Sequence, residues 1–276
     1  MAVEPMNFGG AVPMPSDREF QLYQKLIFER LGIFLPEQKK ALLGNRLWKR
    51  LKACNFEGFS EYYRYILSAQ GRNELDTALE LVTTNETYFF REQKNFDFLR
   101  DSILAKISSG KKIRIWSAAA STGEEPYSIA MLLRDRCVGE WELLCSDVNN
   151  TVLAQAQRGV YPDARVENIP DNYLQRFCRK GVGPQEGHVR VVSELREKVE
   201  FFQLNLNEPF PDLGRFDVVF LRNVLIYFET ETKRKVLERI ARTLNPGGYL
   251  FVGHSESLHG ISEHFTAVKP AIYRLT

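Results

Sequence analysis

At 276 residues the chain approaches the upper limit of one hydrophobic core, so a large domain with a smaller one beside it is expected. Hydrophobic residues make up 44% and charged residues 26%, with only 12 prolines, which excludes disordered, low-complexity and collagen-like classes. A net charge of +2 excludes a uniformly polycationic protein but conceals an asymmetry: from Phe20 to Arg72 ten Lys/Arg stand against four acids, so the front of the chain suits an acidic partner.

Residues 1–16 are rich in Gly, Pro and Met without a period and read as a flexible tail. They lack the basic start and continuous apolar run of a secretory signal, and no stretch reaches about 18 uncharged apolar residues. A cytoplasmic protein with no membrane insertion is therefore expected. From Ser16-Asp17 to about Asn85 apolar residues recur at helical spacing, broken at Gly32, Leu35-Pro36, 55–58 and 71–73, which predicts four short helices. One of these, from about Glu37 to Ala53, carries Leu43, Leu47 and Leu51 as a core stripe beside a basic side with only Glu37 as a nearby acid.

After Gly110 the pattern becomes short β-rich runs, IRIW (113–116), ELLCS (142–146), VEFF (199–202), DVVFL (217–221) and YLFVG (249–253), most of them followed by helical segments. That alternation predicts a mostly parallel sheet with helices on both faces. FTAV and AIYRL around Lys269-Pro270 read as an antiparallel hairpin at its edge. Between about 161 and 201 a helix-like stretch, CRKGVGPQEG and the alternating HVRVVSEL read as an inserted antiparallel β-subdomain. The expected domains are thus an all-helical unit with its linker over 17–90 and an α/β domain over 91–276.

Cys54, Cys137, Cys145 and Cys178 have neither zinc-site pairing nor disulfide density, and His254, His259 and His264 are spaced five apart, off the i, i+4 spacing of a helical metal motif. No metal is expected.

In an open α/β sheet ligands bind beyond the carboxyl ends of the strands, so the segments after IRIW, ELLCS, VEFF and DVVFL carry the chemistry. SAAASTGEEPYSIAM opens a helix near Glu124 with small residues, which admit a ligand close to the backbone. Acids in the first helical turn would repel a pyrophosphate, so a cationic ligand fits better. Asp147, 24 residues beyond Gly123, is placed to accept from ribose hydroxyls, although a helix N-cap before Asn149 is its plainer use. A nucleoside with one positive charge and no phosphates is S-adenosylmethionine. Asn205-Leu206 offers an amide for adenine beside an apolar wall, or a simple turn, and RNVLIYF sets Arg222, Asn223 and Tyr227 at the mouth. Ser121 sits in no nucleophile elbow, and no N-P-P-Y/F run of an amino-methylating enzyme occurs.

TTNETYFFRE (83–92), IRIWSAAASTGEEPYSIAM (113–131), SDVN (146–149) and FLRNVLIYF (220–228) together resemble the CheR family of chemotaxis-receptor glutamate O-methyltransferases, in order from about residue 17 to 274. The resemblance implies a Rossmann-like methyltransferase sheet and S-adenosylmethionine as donor, with S-adenosylhomocysteine as product. It implies that Asn85, Thr87 and Arg91 lie over the donor, that Glu125 faces its amino-acid part with Ala118 at its backbone approach, and that Asp147 takes the ribose. Asn205 and Leu206 would take the adenine and Arg222 and Asn223 the remaining wall, leaving Arg91 and Tyr227 as the catalytic pair nearest the transferred methyl. The substrate glutamate has an ordinary pKa of about 4.3 and arrives ionised, so no general base is required. Arg91 and Tyr227 would then act by position.

The same resemblance assigns receptor docking to the basic helix, with Lys39, Arg46, Lys49, Arg50 and Lys52 facing glutamate-bearing receptor helices; an ordinary solvated face is the plainer use. RNA would need an aromatic stacking array that is missing, so no nucleic-acid partner is expected. Gly181, Val182 and Gly183 resemble the loop of members that dock a receptor C-terminal tail peptide, by strand addition that tethers the enzyme; a mere turn is the alternative. Rival readings are a methyltransferase for a small molecule or RNA, and a non-catalytic S-adenosylmethionine sensor or receptor adaptor.

Overall fold

The computed structural model describes residues 13–107 and 110–276; of the expected tail only 13–16 fall among them. The chain divides into two compact units between Thr84 and Asn85.

Among the described residues the first unit has four α-helices, α1 (Asp17–Leu31), α2 (Lys40–Ala53), α3 (Phe59–Ile66) and α4 (Arg72–Val82). Ser16 starts α1 with a reciprocal capping box: its hydroxyl accepts from Glu19 N while the Glu19 carboxylate accepts from Ser16 N. Gly32, at φ 70°, ends it in the left-handed conformation that glycine adopts without strain. The helix expected from Glu37 begins at Lys40. Residues Glu37–Lys39 form a tighter 3₁₀ turn after Pro36, with no side-chain cap to start a regular helix. Leu43, Leu47 and Leu51 repeat every four residues and are buried, as their spacing predicts.

The second unit begins with α5 (Gln93–Phe98) and continues β1 (Ile113–Ser117), α6 (Glu124–Arg136), β2 (Trp141–Asp147), α7 (Asn150–Arg158) and β3 (Val160–Pro162). Then come α8 (Asp171–Phe177), β4 (Cys178–Lys180), β5 (His188–Val191), α9 (Ser193–Arg196) and β6 (Val199–Gln203). It closes with β7 (Phe216–Phe220), α10 (Thr230–Thr243), β8 (Leu244–Phe251), β9 (Phe265–Lys269) and β10 (Ile272–Leu275).

Seven strands form one sheet in the order β6-β2-β1-β7-β8-β10-β9. The first five run parallel, and the β9–β10 hairpin adds the antiparallel edge. The order reverses at β1, with β2 on one side and β7 on the other, which opens a crevice at their carboxyl ends. The parallel strands read as continuous apolar runs because both faces are covered: Ile115, Trp116, Val218, Val219 and Phe220 are all fully buried. Phe220 and Phe251 stack at 4.5 Å between centroids, joining β7 to β8.

A second sheet, β3-β5-β4, is wholly antiparallel and lies within the inserted segment. Strand β3 was not among the expected runs, being only three residues long. HVRVVSEL does not remain extended either: β5 stops at Val191 and Ser193–Arg196 turn into α9. Alternation over four residues was real, and the rest of the pattern belonged to a helical turn burying Leu195.

Candidate functional site

The loop after β1 is held at the crevice by its own backbone. Ala118 N bonds Phe220 O at 2.8 Å and Ala120 N bonds Ser146 O at 2.8 Å, so the small residues bridge β7 and β2. Gly123 caps α6 at φ 95°, and a Cβ there would lie 2.8 Å from both Ala156 Cβ and Tyr161 Oη. Only glycine fits. Glu124 opens α6 fully buried, accepting from Thr122 Oγ1 at 2.6 Å, and burial pushes its carboxyl above the usual range. Tyr161 on β3 donates to Thr122 O at 2.8 Å, and Arg165 just beyond β3 donates to Thr87 O at 2.8 Å.

Asp147 ends β2 with one oxygen accepting Ser121 N at 2.9 Å and the other Asn149 N at 3.0 Å. It does not cap α7; Asn149 does, accepting from Val152 N. Ser121, at φ 49°, also reaches Asn85 O from its hydroxyl at 3.2 Å, which brings Asn85 beside Asp147. Asn205 follows β6 in a local turn, its Oδ1 accepting Asn207 N at 3.0 Å and its Nδ2 donating to Glu208, beside buried Leu206.

Arg222 corrects the sequence reading most. Expected at the mouth, it is buried beneath it, with its side chain 2% exposed. Its Nη1 donates to Glu125 at 2.7 Å, and its Nη2 donates to Glu92 at 3.0 Å and to the Arg91 carbonyl. Glu125 also accepts Ser117 Oγ at 2.8 Å. Glu92, in left-handed backbone at φ 60°, gathers Asn223 Nδ2, Asn95 Nδ2 and His254 N as well. Burial alone would raise its pKa, but the His254 amide and the Arg222 charge outweigh that and hold it below the ordinary value.

Arg91 is partly exposed and donates to its own segment's Glu86 carbonyl at 2.6 Å, with the guanidinium 5.7 Å from the Tyr88 ring. Tyr227, also partly exposed, sits on a short turn, Leu225–Tyr227. The buried carboxylate under that turn is Glu256, which accepts Asn223 N at 2.9 Å, Gly253 N at 2.6 Å and Ile226 N at 3.2 Å. Neither Glu256 nor the full role of Glu92 was read from the sequence. The signal for Glu256 was present, since HSESL follows YLFVG and the rule about strand ends applies to that strand too.

In the helical unit Lys39, Lys49 and Lys52 are exposed, with the Lys52 ammonium 4.8 Å from the Trp48 ring. The expectation that only Glu37 lies near the basic side is overturned. Arg50 forms a bidentate pair with Glu74 of α4, both bonds 2.6 Å, and Tyr62 donates to the same carboxylate. Arg46 donates to Val82 O at 2.7 Å and Thr83 O at 3.0 Å, serving the end of α4. Both arginines therefore work inside the unit, through partners more than twenty residues away in sequence.

Strands β4 and β5 are joined through Gly181, Val182 and Gly183. Gly181 N bonds His188 O at 2.8 Å, Val182 is 81% exposed, and Gly183 turns at φ 56°.

The donor set suits a cationic nucleoside better than a phosphate: Asp147, Glu125 and Glu92 are acids, the buried Glu124 has Arg165 3.6 Å away, and Arg222 is already engaged by Glu125 and Glu92. Its Nε alone is buried without a partner among the described residues. Residues 85–273 match the family model described as the SAM binding domain of the CheR methyltransferase, and residues 18–83 its all-alpha domain. The chain is 40% identical to the chemotaxis protein methyltransferase of Escherichia coli K12, covering 95% of this chain and 92% of that protein. It is 39% identical to chemotaxis protein methyltransferase 2 of Pseudomonas aeruginosa, covering 92% of each, and 36% identical to the chemotaxis protein methyltransferase of Borreliella burgdorferi, covering 91% of each. No helix among the described residues is long and apolar enough to cross a membrane.

Proposed function

Because the chain belongs to the CheR methyltransferase family, we propose that its S-adenosylmethionine-dependent methylation of chemoreceptors occurs on glutamate side chains, giving methyl esters. S-adenosylmethionine, when bound, supplies an electrophilic methyl on a sulfonium centre. Asp147 at the tip of β2 accepts the ribose hydroxyls, Asn205 and Leu206 border the base, and Glu125 takes the ammonium of the amino-acid part. Asn85 and Thr87 cover the pocket, with Ala118 forming its floor. Asn223 and the Arg222 pair with Glu125 complete the wall.

The substrate carboxylate is already charged near neutral pH, so the chain need only orient it and exclude water. Arg91 and Tyr227 do this at the crevice mouth, the first through charge-assisted bonds and the second through its hydroxyl. The observation that carries this reading is Asp147 at the carboxyl end of β2, bonded to Ser121 N of the loop after β1, together with the Arg222 pairs to Glu125 and Glu92 past the end of β7. The helical unit would meet the receptor helices through Lys39, Lys49 and Lys52, with Arg46 and Arg50 shaping that face from behind. The three-stranded sheet would accept a receptor tail peptide at the β4 edge beside Gly181, Val182 and Gly183.

The test is transfer of labelled methyl from S-adenosylmethionine to purified receptor, followed by mild base. Label released as methanol identifies a carboxyl ester. Label stable to base would refute glutamate as the acceptor, and no transfer at all would leave a sensor or adaptor.

A further inference from the structure

The segment between β7 and α10 carries Arg222, Asn223 and Tyr227 yet has little regular structure of its own. Asn223 is left-handed at φ 57°, a region that asparagine enters more readily than most non-glycine residues, and Ile226 beside Tyr227 is 50% exposed. One side chain from the loop after β8 ties the segment down. Glu256 is 8% exposed and bonds the amides of Asn223 and Ile226, three residues apart in the same segment, as well as Gly253 in its own. Gly253 leaves room for this: a Cβ there would lie 2.4 Å from Asn223 Nδ2 and 2.9 Å from Glu256 Oε2.

We propose that Glu256 is the positioning residue of the methyl-transfer site, a carboxylate that holds the Asn223 to Tyr227 segment in its working shape through backbone amides alone. This rests on the reading that places Tyr227 at the transferred methyl. Three N–H donors converge on two oxygens, which the ionised side chain accepts with no proton of its own among them, whereas protonation adds an O–H donor to a cluster made of donors. The isosteric amide turns at least one bond into a donor facing a donor, whichever way it is flipped.

Burial pushes the Glu256 carboxyl above the ordinary glutamate value, with the Gly253, Asn223, Ile226 and Leu225 amides opposing the rise. The charged and titratable groups around it are His254 on its own loop, Arg222 and Glu92 across Asn223, and Tyr273 of β10, whose hydroxyl accepts Leu258 N. A raised folded pKa means that the folded state takes up a proton before the unfolded chain does. Between the two values acidification therefore favours folding while it unseats the segment. A merely structural acid would not separate turnover from stability in this way.

Glu256→Gln is measured at saturating S-adenosylmethionine and receptor beside Tyr227→Ala. The expected result, at a temperature where the variant is fully folded, is a fall in kcat of about tenfold or more with receptor KM little changed, beside a lower unfolding midpoint from the buried donor left facing a donor. The unmodified enzyme should lose kcat on acidification above the substrate's own value of about 4.3, and the variant should lack that limb. If Tyr227→Ala lowers kcat and Glu256→Gln does not, the positioning role is overturned while the loop reading stands. If neither lowers kcat, both fall. Should Glu256→Gln fail to fold, amide-exchange protection over 222–228 in the unmodified protein decides: protection lost on acidification while α10 keeps its own supports the role, and unchanged protection overturns it.

Discussion

Replacing Arg222 with Met keeps most of the side-chain volume and removes the charge at the centre of the cofactor-side cluster. Three bonds go: to Glu125 at 2.7 Å, to Glu92 at 3.0 Å and to the Arg91 carbonyl. Their values are unequal. Glu92 keeps Asn95, Asn223 and His254 as donors, whereas Glu125, 11% exposed at its side chain, keeps only Ser117 among the described residues. Breaking a pair this buried costs about 3 to 5 kcal/mol, a large part of the roughly 5 to 15 kcal/mol that holds a typical domain. Arg222→Lys restores one charge but reaches one acid at a time, and should lose about half as much. Urea unfolding, resolved by amide exchange on β1 and β7, reads the change in the second unit. Adding Glu125→Gln to Arg222→Met should recover part of it, because the stranded charge is then removed. A loss below about 1 kcal/mol for Arg222→Met would place the cluster with solvent-screened pairs and refute the account of a buried hub.

Glu74→Ala should destabilise the helical unit by about 2 to 3 kcal/mol, less than a fully buried pair because Arg50 remains 35% exposed. The Arg50 bond, with Tyr62 assisting, holds the Glu74 pKa below its ordinary value, so this contribution is present above about 4.5, lost as pH falls through the lowered folded pKa, and absent from the acid limb of the variant's unfolding curve. Arg46→Glu should lower receptor methylation by loosening α4, dropping the unit's unfolding midpoint together with activity. Lys49→Glu or Lys52→Glu should weaken receptor binding with the midpoint unchanged, and a shift in midpoint would remove them from the docking face. Gly123→Ala forces a side chain into φ 95° and against Tyr161, so it should cost about 1 to 3 kcal/mol and weaken S-adenosylmethionine binding in calorimetry; normal binding would show that the loop can shift.

The parallel sheet was legible because its strands are buried on both faces and read as apolar runs, and the helical unit because Leu43, Leu47 and Leu51 keep one period. Asp147 and Asn205 are singled out in the sequence by asking what lies past strand ends, and the structure places them there, past β2 and β6, with bonding partners no local pattern announces. The missing parts share one physical reason. Glu92 meets Arg222 across 130 residues and Arg50 meets Glu74 across 24, and no local periodicity encodes a pair formed only when the chain closes. Placing Arg222 at the mouth followed from its position just past DVVFL, and what buries it instead is a pair of acids on other elements that satisfy the guanidinium fork. The basic side of α2 misled in the same way: its composition was right, and the acid that engages Arg50 came from α4.

Two carboxylates share one guanidinium in that cluster and Asp147 ends the neighbouring strand β2, while Glu124 is buried with its carboxyl pushed above the usual range and Arg165 3.6 Å away. Glu92, Glu125 and Asp147 therefore stand against Arg222 and leave an excess of negative charge. Such a surplus repels a pyrophosphate and favours a ligand bearing positive groups. S-adenosylmethionine has two, the ammonium of its amino-acid part and the sulfonium, whereas S-adenosylhomocysteine keeps only the ammonium. Glu125→Gln therefore distinguishes them. With Glu125 at the ammonium, loss of a charge-assisted bond worth about 1.5 to 3 kcal/mol weakens both ligands alike, by roughly ten- to a hundredfold in calorimetry. Weakening confined to S-adenosylmethionine would set Glu125 against the sulfonium instead, and unchanged affinity for both would leave it to Arg222 and Ser117 alone.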